Sequence, residues 1–288
     1  MIEILKAVLF GIVEGITEWL PVSSTGHIIL LDEFIQLSAT EEFKSMFDVV
    51  IQLGAILAVI VLFFRKLNPF ALKKTVDEKK QTWTLWFKVI AAIIPSGVVG
   101  VLFDDWMDEH LHNGIVVAIA LIVYGIAFIL VESKNNRGKY QRVKGSAEVL
   151  PQKRVVEDVH DISWKEAVGI GLFQCLSLVP GTSRSGSTIL GAIMLGVGRG
   201  AGAEFSFFMA RPTMVGASGI KLLKFLLSGV GISSTEIAVL LVGCVVSFVV
   251  SLLVIKGLME YVRKHSFSAF GVYRIILGII VLAYFLLN

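Results

Sequence analysis

Glu14 and Glu18 stand four residues apart, one helical turn, and Pro21-Val-Ser-Ser-Thr-Gly-His27 follows directly. Like charges at this spacing repel each other even in water. In an apolar setting each carboxylate also loses its hydration, so the pair needs a cation, a shared proton or a polar cavity. A second stretch, Pro180-Gly-Thr-Ser-Arg-Ser-Gly-Ser-Thr188, gathers Thr182, Ser183, Ser185 and Thr188 around Arg184. Hydroxyls after a proline break are natural helix N-caps, and exposed helix N-termini favour anions. Arg184 offers a planar fork suited to phosphate; its alternative use is to neutralise Glu14 or Glu18. These groups together suit phosphoryl transfer. The carboxylates could hold a divalent cation, Arg184 and the helix ends could bind phosphates, and either Ser24 or His27 could attack while the other moves protons.

The composition fixes where such groups must sit. Of 288 residues, 55% are hydrophobic and 17% charged, and the mean hydropathy is +0.80. Soluble domains hold about 25% charged residues, so a soluble enzyme, a disordered tail and a nucleic-acid-binding module are all excluded. The N-terminal stretch does not read as a signal peptide: Lys6 is its only basic residue, and Glu14 and Glu18 interrupt the apolar run. Cys175 and Cys244 lie in apolar runs without metal-ligand spacing and read as buried thiols. Six segments can cross a bilayer as helices, at about 45–64, 83–103, 113–132, 203–225, 235–255 and 267–287. Regions 2–31 and 163–198 are apolar but broken at Pro21–Gly26 and Pro180–Gly186, which reads as two re-entrant helical hairpins. The expected fold is an all-α integral membrane protein.

Loop charge sets the orientation. The 65–82 loop holds six Lys/Arg against Asp77 and Glu78, and 133–162 holds seven against four acids. The 104–112 segment carries Asp104, Asp105, Asp108 and Glu109 without Lys or Arg. Basic loops inside and the acidic loop outside leave both termini outside, the first hairpin entering from outside and the second from inside. The chain then divides into a first repeat, 1–132, a cytoplasmic linker, 133–162, and a second repeat, 163–288, of opposite orientation. Gly11-Ile-Val-Glu-Gly-Ile-Thr-Glu-Trp-Leu-Pro21 echoes Gly171-Leu-Phe-Gln-Cys-Leu-Ser-Leu-Val-Pro180. Interrupted segments in corresponding places of two inverted halves point to a site at the membrane midplane.

At these residues the chain resembles a known family. Val13-Glu-Gly-Ile-Thr-Glu18 with Leu20-Pro-Val-Ser-Ser-Thr-Gly-His27 is similar to the first signature of bacterial undecaprenyl-diphosphate phosphatases of the BacA/UppP type, and Pro180–Thr188 to the second. Phe47-Asp-Val-Val-Ile-Gln-Leu-Gly54 and Ala203-Glu-Phe-Ser-Phe-Phe208 also resemble family segments. The resemblance implies a bacterial cell-membrane enzyme that converts undecaprenyl diphosphate to undecaprenyl phosphate and inorganic phosphate. Such an enzyme recycles the lipid carrier of peptidoglycan synthesis, and its overproduction confers bacitracin resistance. It further implies an extracytoplasmic active site and a Mg2+ or Ca2+ requirement. Glu14, Glu18, Ser24, His27 and Arg184 carry over as catalytic residues, with Glu14 and Glu18 as metal ligands. Ser23, Thr25, Thr182, Ser183, Ser185 and Thr188 join Arg184 as substrate contacts. Ser24 is the expected nucleophile and His27 its proton partner, with His27 the alternative nucleophile. The expected partners are a polyprenyl diphosphate lipid and the surrounding membrane lipids, with a homodimer open to the chain and no nucleic acid. Arg211 departs from the pattern, standing where an aliphatic residue is expected, and Gly200-Ala-Gly202 is unusually glycine-rich.

The competing reading is a flippase or transporter of a polyprenyl phosphate, since inverted repeats with broken helices are common among transporters and fold alone cannot separate the two. A transporter needs Arg184 and the helix ends. It does not need two carboxylates beside a Ser/His pair.

Overall fold

The computed structural model describes residues 1–111, 113–138 and 155–287, and the side chains of Asp104, Asp105, Asp108 and 135–138 fall outside that description. Most of the expected linker 133–162 and three of the four acidic side chains of 104–112 therefore lie outside the described residues. The described chain is helical, with one isolated parallel bridge between Val156 and Val197. In order the helices are α1 (Ile2–Thr17), α2 (Ser24–Phe34), α3 (Glu41–Leu62), α4 (Phe64–Leu67), α5 (Val76–Leu111), α6 (Gly114–Gly138), α7 (Trp164–Cys175), α8 (Arg184–Met194), α9 (Arg199–Leu227), α10 (Ser234–Lys264) and α11 (Ser268–Leu287).

Five of them, within α3, α5, α6, α10 and α11, are long and apolar enough to cross a membrane. The expected sixth span, 203–225, lies in α9, which has the length but carries Glu204, Arg211, Lys221 and Lys224. The segment 104–112 was expected to be a loop; instead α5 runs on to Leu111, so its acids extend a helix. Helix caps fall where the sequence offers them. Thr40 caps α3, while Ser163 and Ser233 form capping boxes with Glu166 and Glu236 ahead of α7 and α10.

Around an apolar core the bundle also buries polar and charged side chains, and it turns further apolar faces outward. On α10, Leu241, Val245, Val249 and Leu253 recur every four residues and are all exposed. Such a continuous apolar stripe suits hydrocarbon rather than water. Inside, α1 packs on α10 and α7 on α5, while α3 meets α9 and α6 meets α11. The α6–α11 crossing is closed by two glycines: a Cβ on Gly125 would lie 2.7 Å from the Gly271 carbonyl, and one on Gly271 would lie 2.7 Å from the Gly125 carbonyl. Small residues at a crossing let the backbones approach where apolar burial gives no drive. At one end of the bundle, Glu132 of α6 pairs with Arg199 of α9 and also accepts from the Phe267 N–H at 3.1 Å, which ties α6, α9 and the start of α11 together. Cys175 and Cys244 are free thiols, half-buried rather than fully buried.

Candidate active site

The two helix breaks meet inside this frame. The first leaves α1 at Glu18 and restarts at Ser24; the second leaves a short 3-10 turn, Leu176–Leu178, and restarts at Arg184. Ser23 and Ser183 cap the restarting helices, and the two Oγ atoms accept from the Gly26 and Gly186 N–H groups at 3.2 and 3.1 Å. Between the breaks runs Arg274 of α11, fully buried. Its Nη1 donates to Pro21 O at 3.0 Å, and its Nη2 donates to Gly181 O at 2.8 Å and Thr182 O at 2.9 Å. One guanidinium thus satisfies carbonyls from both interruptions, groups that cannot be left bare in an apolar interior.

Glu18 is the hub of the chemistry. Its Oε2 accepts from Ser24 Oγ at 2.7 Å and its Oε1 from Arg184 Nη2 at 2.9 Å. Arg184 Nη1 donates to Ser206 O at 2.9 Å, and its Nε, though buried, has no partner. The guanidinium carbon sits 6.0 Å from the centroid of the buried Trp19 ring. Ser185 Oγ donates to Glu18 O at 3.1 Å, which fixes the end of α1 against the start of α8. A cavity of about 160 Å³ opens beside this cluster, lined by Glu18, Ser24, Thr25, Ser183, Arg184 and also Gln52 and Thr213. One turn before Glu18, Glu14 is buried, and its Oε1 has no hydrogen-bond partner.

The expected residues do not all converge. Ser24 gives its hydrogen bond to Glu18 and not to His27. The His27 Nδ1 lies 2.6 Å from Ser23 O, so that nitrogen carries the proton, and the Tyr273 hydroxyl lies 2.7 Å from Nε2. Both ring nitrogens are engaged, Nδ1 within α2 and Nε2 on α11, where the imidazole lies parallel to the Tyr273 ring. Bonding back to a carbonyl four residues earlier folds the ring along α2, so spacing alone did not bring it to Ser24. Thr188 likewise bonds within α8 and to Ser206 Oγ at 2.6 Å, and Thr182 offers its carbonyl to Arg274; neither lines the cavity.

The match to a family decides the class. A family model described as "Bacitracin resistance protein BacA" covers residues 7–280. The chain belongs to the BacA family. The chain is 57% identical over 287 residues to undecaprenyl-diphosphatase 1 of Clostridioides difficile (strain 630), covering 100% of this chain and 98% of the relative. It is 54% identical to the undecaprenyl-diphosphatases of Enterococcus faecalis and Limosilactobacillus fermentum (strain NBRC 3956 / LMG 18251), covering 98% and 100% of this chain and 96% and 99% of those relatives.

Several residues of this BacA site escaped sequence reasoning. Arg274 carried a usable signal, as the one basic residue in the apolar run 268–287, because an ionisable group inside a span is a candidate for function. Gln52 stood inside the family-like segment Phe47–Gly54 without being singled out, and Thr213 carried no signal: a single polar residue within a long helix does not announce which neighbour it faces.

Proposed function

We propose that the protein hydrolyses undecaprenyl diphosphate to undecaprenyl phosphate and inorganic phosphate. The observation that carries this reading is the Ser24–Glu18–Arg184 chain at the cavity, in a protein whose full-length relatives are named for that activity. Ser24 Oγ attacks the terminal phosphorus as Glu18 Oε2, already its acceptor, takes the hydroxyl proton. The bond from that phosphorus to the bridging oxygen breaks, and undecaprenyl phosphate leaves, taking that proton from Glu18. Water then cleaves the phosphoserine, with Glu18 as its base, and releases inorganic phosphate. Arg184 and the N-termini of α2 and α8 supply the positive field that the transferring group needs. His27 is assigned a positioning role, bracing the first turn of α2 against Tyr273.

The residues fit a hard divalent cation. Glu14 holds a buried carboxylate oxygen without a hydrogen-bond partner one turn before Glu18, and Glu18 and Gln52 both line the cavity. Mg2+ commonly takes one or two carboxylates plus substrate phosphates. When bound by Glu14 and Glu18, Mg2+ or Ca2+ would neutralise charge on the diphosphate. We further propose the inverted repeat, 1–132 and 163–288, with α1–α2 and α7–α8 as re-entrant hairpins and the site open to the extracytoplasmic side. The matched packing of α1 on α10 and α7 on α5 supports it, as do the twin caps Ser23 and Ser183.

Phosphate release from undecaprenyl diphosphate by the purified chain tests the proposal. Turnover that disappears in Ser24→Ala and falls steeply in Glu18→Gln is expected. No release with either Mg2+ or Ca2+ would sink the phosphatase reading and favour lipid transport.

A further inference from the structure

Arg211 is 6% exposed, and among the described residues it makes no hydrogen bond or ion pair. Its guanidinium lies between two aromatic faces, 5.1 Å from the Trp86 centroid and 5.1 Å from that of Phe208. The acid nearest along α9, Glu204, is about two turns away and is paired with Lys66. Stacking holds the cation's faces but leaves its N–H groups bare, and a buried donor without an acceptor is costly. The Arg211 side chain is one wall of an apolar groove of about 440 Å³, with Ile60, Phe64, Leu67, Trp86 and Val215 as the others, and its unpartnered Nε and Nη2 are buried behind that wall. Phe64 and Val215 are more than half exposed, so the groove opens sideways, toward where lipid chains would lie. Its level is fixed by the Trp86 Nε1–H, which donates to Leu67 O at 2.9 Å, beside the start of the basic 65–82 segment. A tryptophan next to basic residues marks the height of lipid headgroups.

We propose that this groove binds the phosphate of an anionic bilayer phospholipid, separately from the Glu18–Ser24 site. Arg211 grips the headgroup, and one acyl chain lies along the Ile60–Val215 wall. Charge selects the occupant. A single guanidinium matches the single negative charge of a phosphodiester and two of its oxygens, whereas a phosphomonoester, with about two charges near neutral pH, would leave charge unmatched. The Asn68 side chain, whose Oδ1 already accepts from Phe70 N–H, keeps its amide N–H groups for a further contact.

The test uses the full chain in neutral detergent, stripped of lipid, and titrates phosphatidylglycerol with brominated acyl chains while Trp86 fluorescence is read as the difference from Trp86→Phe. Quenching that saturates in wild type is expected, with the half-quenching concentration raised roughly tenfold or more in Arg211→Leu. Arg211→Lys, which keeps the charge but loses the fork, should fall between them. Arg211→Leu removes an unpartnered charge and so should fold; elution as a single species checks this. Brominated phosphatidylcholine, a polyprenyl monophosphate and inorganic phosphate are the competing probes. Equal quenching in wild type and Arg211→Leu, or by phosphatidylcholine and phosphatidylglycerol, would overturn the proposal. So would displacement of the brominated lipid by the polyprenyl monophosphate or by inorganic phosphate at lower concentration than by unlabelled phosphatidylglycerol.

Discussion

Ser23 and Ser183, 160 residues apart, share one unusual conformation: φ is +75° at the first and +72° at the second, and among the described residues no other non-glycine has a positive φ. Both cap the helix that restarts after a break, and both accept from a glycine N–H three residues on. The strain is tolerated because the turn aims two helix N-termini into one interior region, where their free N–H groups can meet an anion.

Substituting either serine should separate cap from strain. Ser23→Ala and Ser183→Ala lose the cap and keep the strained φ, so each should cost about 1–2 kcal/mol of stability. The glycine variants lose the cap but relieve the backbone and should cost less. Thermal unfolding in detergent reads the order. Alanine variants more stable than glycine variants would show that the φ is not strained.

Arg274 is expected to act as a positioning residue for both breaks. Arg274→Met leaves carbonyls of Pro21, Gly181 and Thr182 without their donor, at about 1–3 kcal/mol for each group left unsatisfied. Arg274→Lys restores the charge but cannot span three acceptors. Both variants should lose thermal stability and most turnover, with Lys retaining more of each. A loss of turnover at unchanged stability and unchanged substrate KM would instead mark direct contact with the phosphates.

Ser24 and Glu18 should behave as one unit. Ser24→Ala, which removes the nucleophile, is expected to abolish turnover, and Glu18→Gln to lower it by about 10²–10⁴-fold, the usual contribution of a positioned base. The double variant should fall little further, because the two groups serve one step. His27→Ala should fall by less and should also soften the start of α2, which hydrogen exchange at 24–28 would detect. Full additivity of Ser24→Ala and Glu18→Gln would separate their roles, and a phosphohistidine trapped in the Ser24→Ala protein would make His27, the alternative, the nucleophile.

The all-helical membrane class and the two helix breaks were legible before any coordinates. Composition gave the membrane class, and the prolines and hydroxyls at 21–26 and 180–186 marked the two interruptions to within a few residues. Glu18, Ser24 and Arg184 were legible because ionisable or reactive groups are rare in apolar helices and these cluster at the breaks. What failed were rotamers and faces. Helical spacing put Ser24 and His27 within reach, yet the local hydrogen bond to Ser23 O turned the imidazole toward Tyr273. The acidic segment 104–112 read as a loop because charge outweighed helix propensity in the reading, although Asp, Glu and Leu are compatible with extending α5. Arg274 was missed by attending to loops when counting basic residues.

Glu14 gives the clearest forecast about metal. Glu18 is already matched, by Arg184 on one oxygen and Ser24 on the other, whereas Glu14 is buried with one oxygen that has no hydrogen-bond partner. A diphosphate arriving at the cavity would add further negative charge to that region. The arrangement is tolerable if a cation joins Glu14, Glu18 and the phosphates, or if Glu14 stays protonated. The first case requires that chelator abolish phosphate release and that Mg2+ or Ca2+ restore it, since oxygen donors favour hard cations. Glu14→Gln should then raise the cation concentration needed for half-maximal activity about tenfold or more, while leaving thermal stability the same or higher, because a bare carboxylate is removed. The second case predicts full activity in excess chelator and a Glu14→Gln protein with wild-type metal response. Measuring release across a cation titration for both proteins distinguishes them, and a flat response in wild type would rule out the cation site.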